Sequence, residues 1–225
     1  TTLFRSLEEF NYWFMNDNPI YYFCRNGYGG GAFIKYDDKN QKWTIVVVAT
    51  TYLDGSTLEA INDYGSLDTR RNVRNMVEIK LHEYYDLTKD LSSDFEKEKA
   101  IHEKIIREVE YNHEDLTAND GHTFVGVFSE EKAVCEGYAE AFELVCNYCG
   151  IDCIFVDGFA REAHAWNAIK LGGEWFCVDP TWDDRDGKIG VDVNGEDSYT
   201  TGYYNTSDHL SSDLQRDQSF LNVPY

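Results

Sequence analysis

Apolar positions along the chain fall into two rhythms. Ile101, Ile105 and Val109 repeat every four residues with Ile106 beside them, which marks one buried helical face. Ser93-Asp94-Phe95-Glu96 is a capping box ahead of that face, and the pattern carries the helix to Tyr111. A helical pattern also covers residues 67–87. Ala139, Phe142, Cys146 and Cys149 form the stripe of a helix over 135–149, stopped by Gly150 in the C′ position. Strand-like runs follow at 153–159, 164–171 and 174–178. The last two flank Gly172-Gly173, a two-residue hairpin signal. Nearer the N-terminus, a helix is expected from Ser6 to about residue 15, before the break Asn16-Asp17-Asn18-Pro19. A hairpin follows, with arms 32–36 and 43–53 around a polar turn. Beyond Trp182 the chain is acidic and less periodic, and it is expected to wrap back over the sheet.

Hydrophobic residues make up 42% of the 225 positions and charged residues 27%, which excludes a disordered chain. The 20 Lys and Arg against 41 Asp and Glu give a net charge of -21. A field of that sign repels phosphate backbones and anionic membranes, so neither nucleic acid nor membrane insertion is expected. No apolar run approaches the roughly 20 residues that span a bilayer. The chain opens at Thr1 with no basic segment before an apolar core, which reads as a mature or trimmed product. The 16 tyrosines and the abundant Asp and Asn suit an exported surface protein. Six cysteines are too few for a disulfide scaffold in a chain of this length, so most read as small buried hydrophobes.

Cys135 is the exception. It stands at the predicted head of a helix, where unsatisfied N–H groups and a partial positive charge favour thiolate over thiol. The same N–H groups suit a developing oxyanion. Taken alone, a cysteine at a helix start is more often a small core residue. The hairpin supplies the partners a thiolate needs. With Gly172-Gly173 as its turn, Leu171 faces Glu174, His164 faces Thr181 and Asp179 faces Trp166. His164 and Asp179 then share a face as diagonal neighbours, about 7–8 Å apart at Cα. A three-residue loop would reverse the parity and separate them. The geometry permits a His–Asp hydrogen bond that fixes the imidazole tautomer, and it equally permits a buried structural pair.

Three blocks in order resemble the core of the transglutaminase-like superfamily in its bacterial form. They are Ala133-Val134-Cys135-Glu136-Gly137-Tyr138-Ala139, His164-Ala165-Trp166-Asn167 and Val178-Asp179-Pro180-Thr181-Trp182-Asp183. The resemblance implies Cys135 as nucleophile, His164 as general base and acid, and Asp179 as orienting carboxylate. It implies an α+β fold, a papain-like or transglutaminase-like cysteine proteinase core with the nucleophile helix on an antiparallel sheet. Residues 91–225 are read as that core and residues 1–90 as an N-terminal extension integral to the domain.

The implied activity is acyl transfer on amide bonds of proteins or peptides through a thioester, ending in hydrolysis or in transfer to an amine. A cell-wall peptide amidase and a non-catalytic adhesion or scaffold module are the alternatives. No cofactor and no metal are expected, and the expected setting is extracellular or on a bacterial cell surface. The upstream tryptophan of the animal tissue enzymes has no assigned equivalent, which favours hydrolysis. His122 is a candidate to line the cleft or bind an oxyanion, and Trp166 and Trp182 are candidate cleft walls. Asp183, Asp184 and Asp186 are read as a solvated acidic loop rather than a cation site. Cys146, Cys149, Cys153 and Cys177 are set aside as a zinc site, because Cys146 and Cys149 fall on a buried helix face.

Overall fold

A computed structural model of the chain describes residues 30–37, 42–49, 67–114, 116, 120–160, 162–184, 190–191, 197–198, 205 and 215–216. The chain divides into two compact units, Thr1–Asn75 and Met76–Tyr225. In the first, β1 (Gly30–Asp37) and β2 (Lys42–Ala49) form the expected antiparallel hairpin, with Ile34 opposite Ile45. The helix expected over 6–15 and the break at 16–19 lie outside the described residues.

The second unit takes in most of α1 (Leu67–Thr88) and then α2 (Asp94–Glu108). Ser93 caps α2 as its sequence requires: its hydroxyl accepts the Glu96 N–H at 3.2 Å, and the Glu96 carboxylate accepts the Ser93 N–H at 3.1 Å. The helix ends at Glu108, short of the expected Tyr111. Val109 turns extended, and β3 (Glu110–Tyr111) pairs in parallel with β4 (Lys132–Ala133). That pairing is with a segment 22 residues on, which local periodicity does not contain.

A 3-10 turn (Asp120–His122) and α3 (Phe124–Ser129) lead into β4 and then α4 (Cys135–Tyr148). Gly150 closes α4 at φ +84 in a Schellman arrangement: Ile151 N–H reaches the Cys146 carbonyl and Gly150 N–H that of Asn147. The Asn147 side chain then bonds both backbone groups of Cys153 at 3.0 Å, clasping the end of α4 to the start of the next strand.

Strands β5 (Cys153–Ala160), β6 (Glu162–Leu171) and β7 (Glu174–Val178) form an antiparallel sheet that the short β10 (Gln215–Arg216) extends beside β5. Side chains leave β6 alternately. Ala165 joins Ala139 of α4 and Phe155, while Trp166 and Ala168 join Val156 and Cys177 in a second cluster. Both clusters are buried, so the sheet is covered on its two faces. α5 (Pro180–Asp183) follows β7 directly, and β8 (Gly190–Val191) pairs with β9 (Asp197–Ser198). The tail does return to the unit: Asn205 donates to Glu98 of α2 at 3.1 Å, and β10 pairs with β5. The fold is α+β, with α4 packed on an antiparallel sheet. Cys146, Cys153 and Cys177 are buried free thiols and Cys149 is half-buried. Among the described residues no helix is long and apolar enough to cross a membrane.

The β6–β7 register is the one the turn demands, with Leu171 opposite Glu174 and Asn167 opposite Val178. Gly172 and Gly173 both carry positive φ, +61 and +93, as a type I′ turn requires. Gly173→Ala is expected to lower stability by about 1–2 kcal/mol, read as a reduced urea midpoint. An unchanged midpoint would show that the turn tolerates a side chain.

Candidate active site

Cys135 is the first residue of α4 and is half-buried against Ala139, Phe155 and Ala165. Its N-cap, Val134, has an extended backbone and no side chain to cap the helix. The helix head at the nucleophile is thus not capped by the side chain of its N-cap residue. The β3–β4 pairing and a bond from Val134 N–H to the Gly121 carbonyl at 2.9 Å fix this entry.

His164 sits on β6 and is buried. Its Nε2–H donates to Asp179 Oδ2 at 2.7 Å, and Cys135 lies near enough to the ring to raise its pKa. With Nε2 committed to the carboxylate, Nδ1 is the nitrogen left for the sulfur. Burial pulls the imidazole pKa down, but the hydrogen bonds and charges of Asp179 and Cys135 outweigh it and raise the pKa to about 9. The site thus holds an imidazolium at neutral pH beside the sulfur, which is the setting of a thiolate–imidazolium pair.

Asp179 gains its position from the sequence Asp-Pro-Thr-Trp. Pro180 occupies the first turn of α5, where its missing N–H costs nothing, and Asp179 is the N-cap. Its Oδ1 accepts the Trp182 N–H at 3.1 Å while Oδ2 holds His164. One carboxylate is thereby oriented by the helix it caps. The Trp182 ring stacks on the imidazole with centroids 4.8 Å apart and planes 19° from parallel. Trp182 is half-buried and walls the imidazole.

Trp166 is placed differently from a cleft wall. It has no exposed surface, and its ring packs in the cluster beneath His164 at 6.0 Å. His122 faces Glu136, the residue after the nucleophile, through Nδ1, and the Leu116 carbonyl at 2.8 Å through Nε2. Both ring nitrogens thus face acceptors of the protein, and the side chain stays partly exposed.

The acidic stretch after Trp182 also corrects the sequence reading. Asp183 is buried and accepts His102 Nε2–H at 3.1 Å, and Asp184 accepts the Tyr138 hydroxyl. They are not a solvated loop, because α2 and α4 supply donors that the sequence keeps 81 and 46 positions away. Asp186 lies outside the described residues. Among the described residues no group of three or more His, Cys, Asp or Glu side chains is arranged to hold a metal ion.

Asn167, the last residue of the His-Ala-Trp-Asn block, has a definite task. Fully buried on β6, it donates to the Ala139 carbonyl at 2.9 Å and the Ile154 carbonyl at 3.3 Å. One side chain thus joins the strand of the imidazole to the helix of the sulfur. Its signal in the sequence is a polar residue set between the apolar Trp166 and Ala168-Ile169.

Residues 84–180 match the family model described as the transglutaminase-like superfamily. Over 112 residues the chain is 33% identical to kyphoscoliosis peptidase of Mus musculus and 31% identical to that of Homo sapiens, each match covering 43% of this chain. The chain spans only 17% of the length of these relatives. A solved structure described as a TGase is similar at a TM-score of 0.46 and 18% identity, over 78% of this chain and 50% of that one.

Gly137 allows the loop that carries His122 to sit against α4. A Cβ built there would lie 2.5 Å from the Gly121 carbonyl oxygen and 2.9 Å from that of Thr123, both backbone atoms. Gly137→Ala is expected to cost about 1–3 kcal/mol in urea unfolding and to slow alkylation of Cys135, because the helix head must shift. Wild-type values for both would show that the loop yields freely.

Proposed function

From residues 84–180 being a transglutaminase-like superfamily domain, we propose that this chain is a cysteine-dependent acyl-transfer enzyme acting on amide bonds of proteins or peptides. The observation that carries the reading is the imidazole of His164, bonded to Asp179 at 2.7 Å and raised in pKa by Asp179 and by the neighbouring Cys135. In this mechanism the Cys135 thiolate attacks the amide carbon, and the oxyanion forms beside the first N–H groups of α4. The C–N bond breaks as His164 gives its proton to the leaving amine. His164 then takes a proton from water, the hydroxide attacks the thioester, and the acid departs with the thiolate restored.

Hydrolysis is placed ahead of amine transfer, and it accords with the name peptidase carried by the mammalian relatives. Peptides of proteins and of cell walls both fit the chemistry. An extracellular or cell-surface setting is part of the proposal, and its support is the composition. The curated relatives named above are animal proteins, so a bacterial source draws no support from them.

His164 has a pKa raised above the ordinary 6.5 to about 9. Its protonated pairing is therefore complete below 6.5 and is lost as pH rises through about 9. The value of kcat/KM for peptide-amide hydrolysis is expected to fall above pH about 9, and Asp179→Asn is expected to move that limb to lower pH. Cys135→Ala is expected to remove at least about 10³-fold of the rate. Hydrolysis that survives Cys135→Ala would refute the proposal.

A further inference from the structure

A second His–Asp pair lies in the same unit and no step above uses it. His102 and Asp183 both have side chains with no exposure, and His102 Nε2–H reaches Asp183 Oδ2 at 3.1 Å. His102 belongs to the buried stripe of α2, with Glu98, Ile101, Ile105 and Ile106. The ring of Phe142, from α4, stands at 90° to it with centroids 6.2 Å apart. Asp183 is one helical turn from Asp179, and its N–H donates to the Asp179 carbonyl at 3.1 Å.

α5 has four residues, too few to hold its own shape or place. Its N-cap nevertheless has to keep a carboxylate aligned on His164, and such sites lose function when held only loosely. Among the described residues, side chains from outside reach the far end of α5: Tyr138 of α4 at Asp184 and His102 of α2 at Asp183. Only the second is buried completely, where water cannot replace a lost partner.

We propose that His102 is a positioning residue: through Asp183 it locks the short helix α5, and so aligns the Asp179 carboxylate behind His164. This rests on the triad assignment of the functional reading. The reactivity of Cys135 then depends on a contact from α2 that touches neither the sulfur nor the imidazole.

The test is the rate of Cys135 alkylation by iodoacetamide in the full chain at pH 6, with the urea midpoint measured alongside. His102→Phe keeps the ring volume and removes the donor, and it is expected to label about tenfold slower or more. Asp183→Asn keeps an acceptor oxygen and is expected to label within about twofold of wild type. Ile105→Val, a loss of packing in the same helix, is expected to lower the midpoint and leave labelling unchanged, which separates alignment from stability. His102→Phe combined with Asp179→Ala is expected to label no slower than Asp179→Ala alone. If His102→Phe does not fold, Asp183→Ala replaces it with the same expectation.

Wild-type labelling in the donor-less or acceptor-less variant overturns the proposal. So does an effect that adds fully to Asp179→Ala, or an Asp183→Asn chain as slow as His102→Phe. Labelling needs no substrate. A wild-type chain that labels rapidly and hydrolyses nothing would therefore refute the functional reading and leave this one standing.

Discussion

The imidazole of His164 is held between a carboxylate and a sulfur, and the arrangement of the unit around it follows from that constraint. A neutral ring would be the cheaper occupant of a buried site, since burial penalises the charged form. Asp179 and Cys135 reverse the preference and hold the pKa at about 9. The stacked indole of Trp182 presents a π face to the cation on one side of the ring. Charge stabilisation and the exclusion of water are thus supplied by the same few groups.

Each partner reaches the imidazole by a different structural device. A helix head brings the sulfur, and its entry is set by β3–β4 pairing and by the close approach that Gly137 permits. The carboxylate is both helix cap and hydrogen-bond acceptor, so the backbone of α5 and the imidazole share one side chain. Asn167 joins the strand of the base to the helix of the nucleophile. Tyr138 and His102 hold α5 from α4 and α2. The pattern is one of polar tethers between elements.

Much of this was legible in the sequence, for reasons that differ by residue. Gly172-Gly173 sets a two-residue turn, the turn sets the register, and the register sets which residues share a face; His164 and Asp179 follow from parity. Ser93 to Glu96 and Gly150 mark helix ends through local chemistry and were found for that reason. What the sequence concealed were contacts between distant segments. α2 stops early because Glu110 and Tyr111 find a partner strand, and nothing near Val109 announces it. Asp183 and Asp184 read as solvated charges until their donors on other elements are seen. The partners of His122, Glu136 and the Leu116 carbonyl, likewise come from other segments. The available warning was a histidine and a glutamate, His102 and Glu98, standing in the apolar stripe of α2. Polar groups in such a stripe are bonded to something, and here that something bears on the site.

The most direct test of the central claim is the protonation state of one ring. Nitrogen-15 NMR of His164 in the wild-type chain is expected to report an imidazolium at pH 7 that titrates near 9, and its pKa is expected to drop in Asp179→Asn and in Cys135→Ala. A neutral His164 at pH 7 in the wild type, or a titration indifferent to both substitutions, would contradict the account.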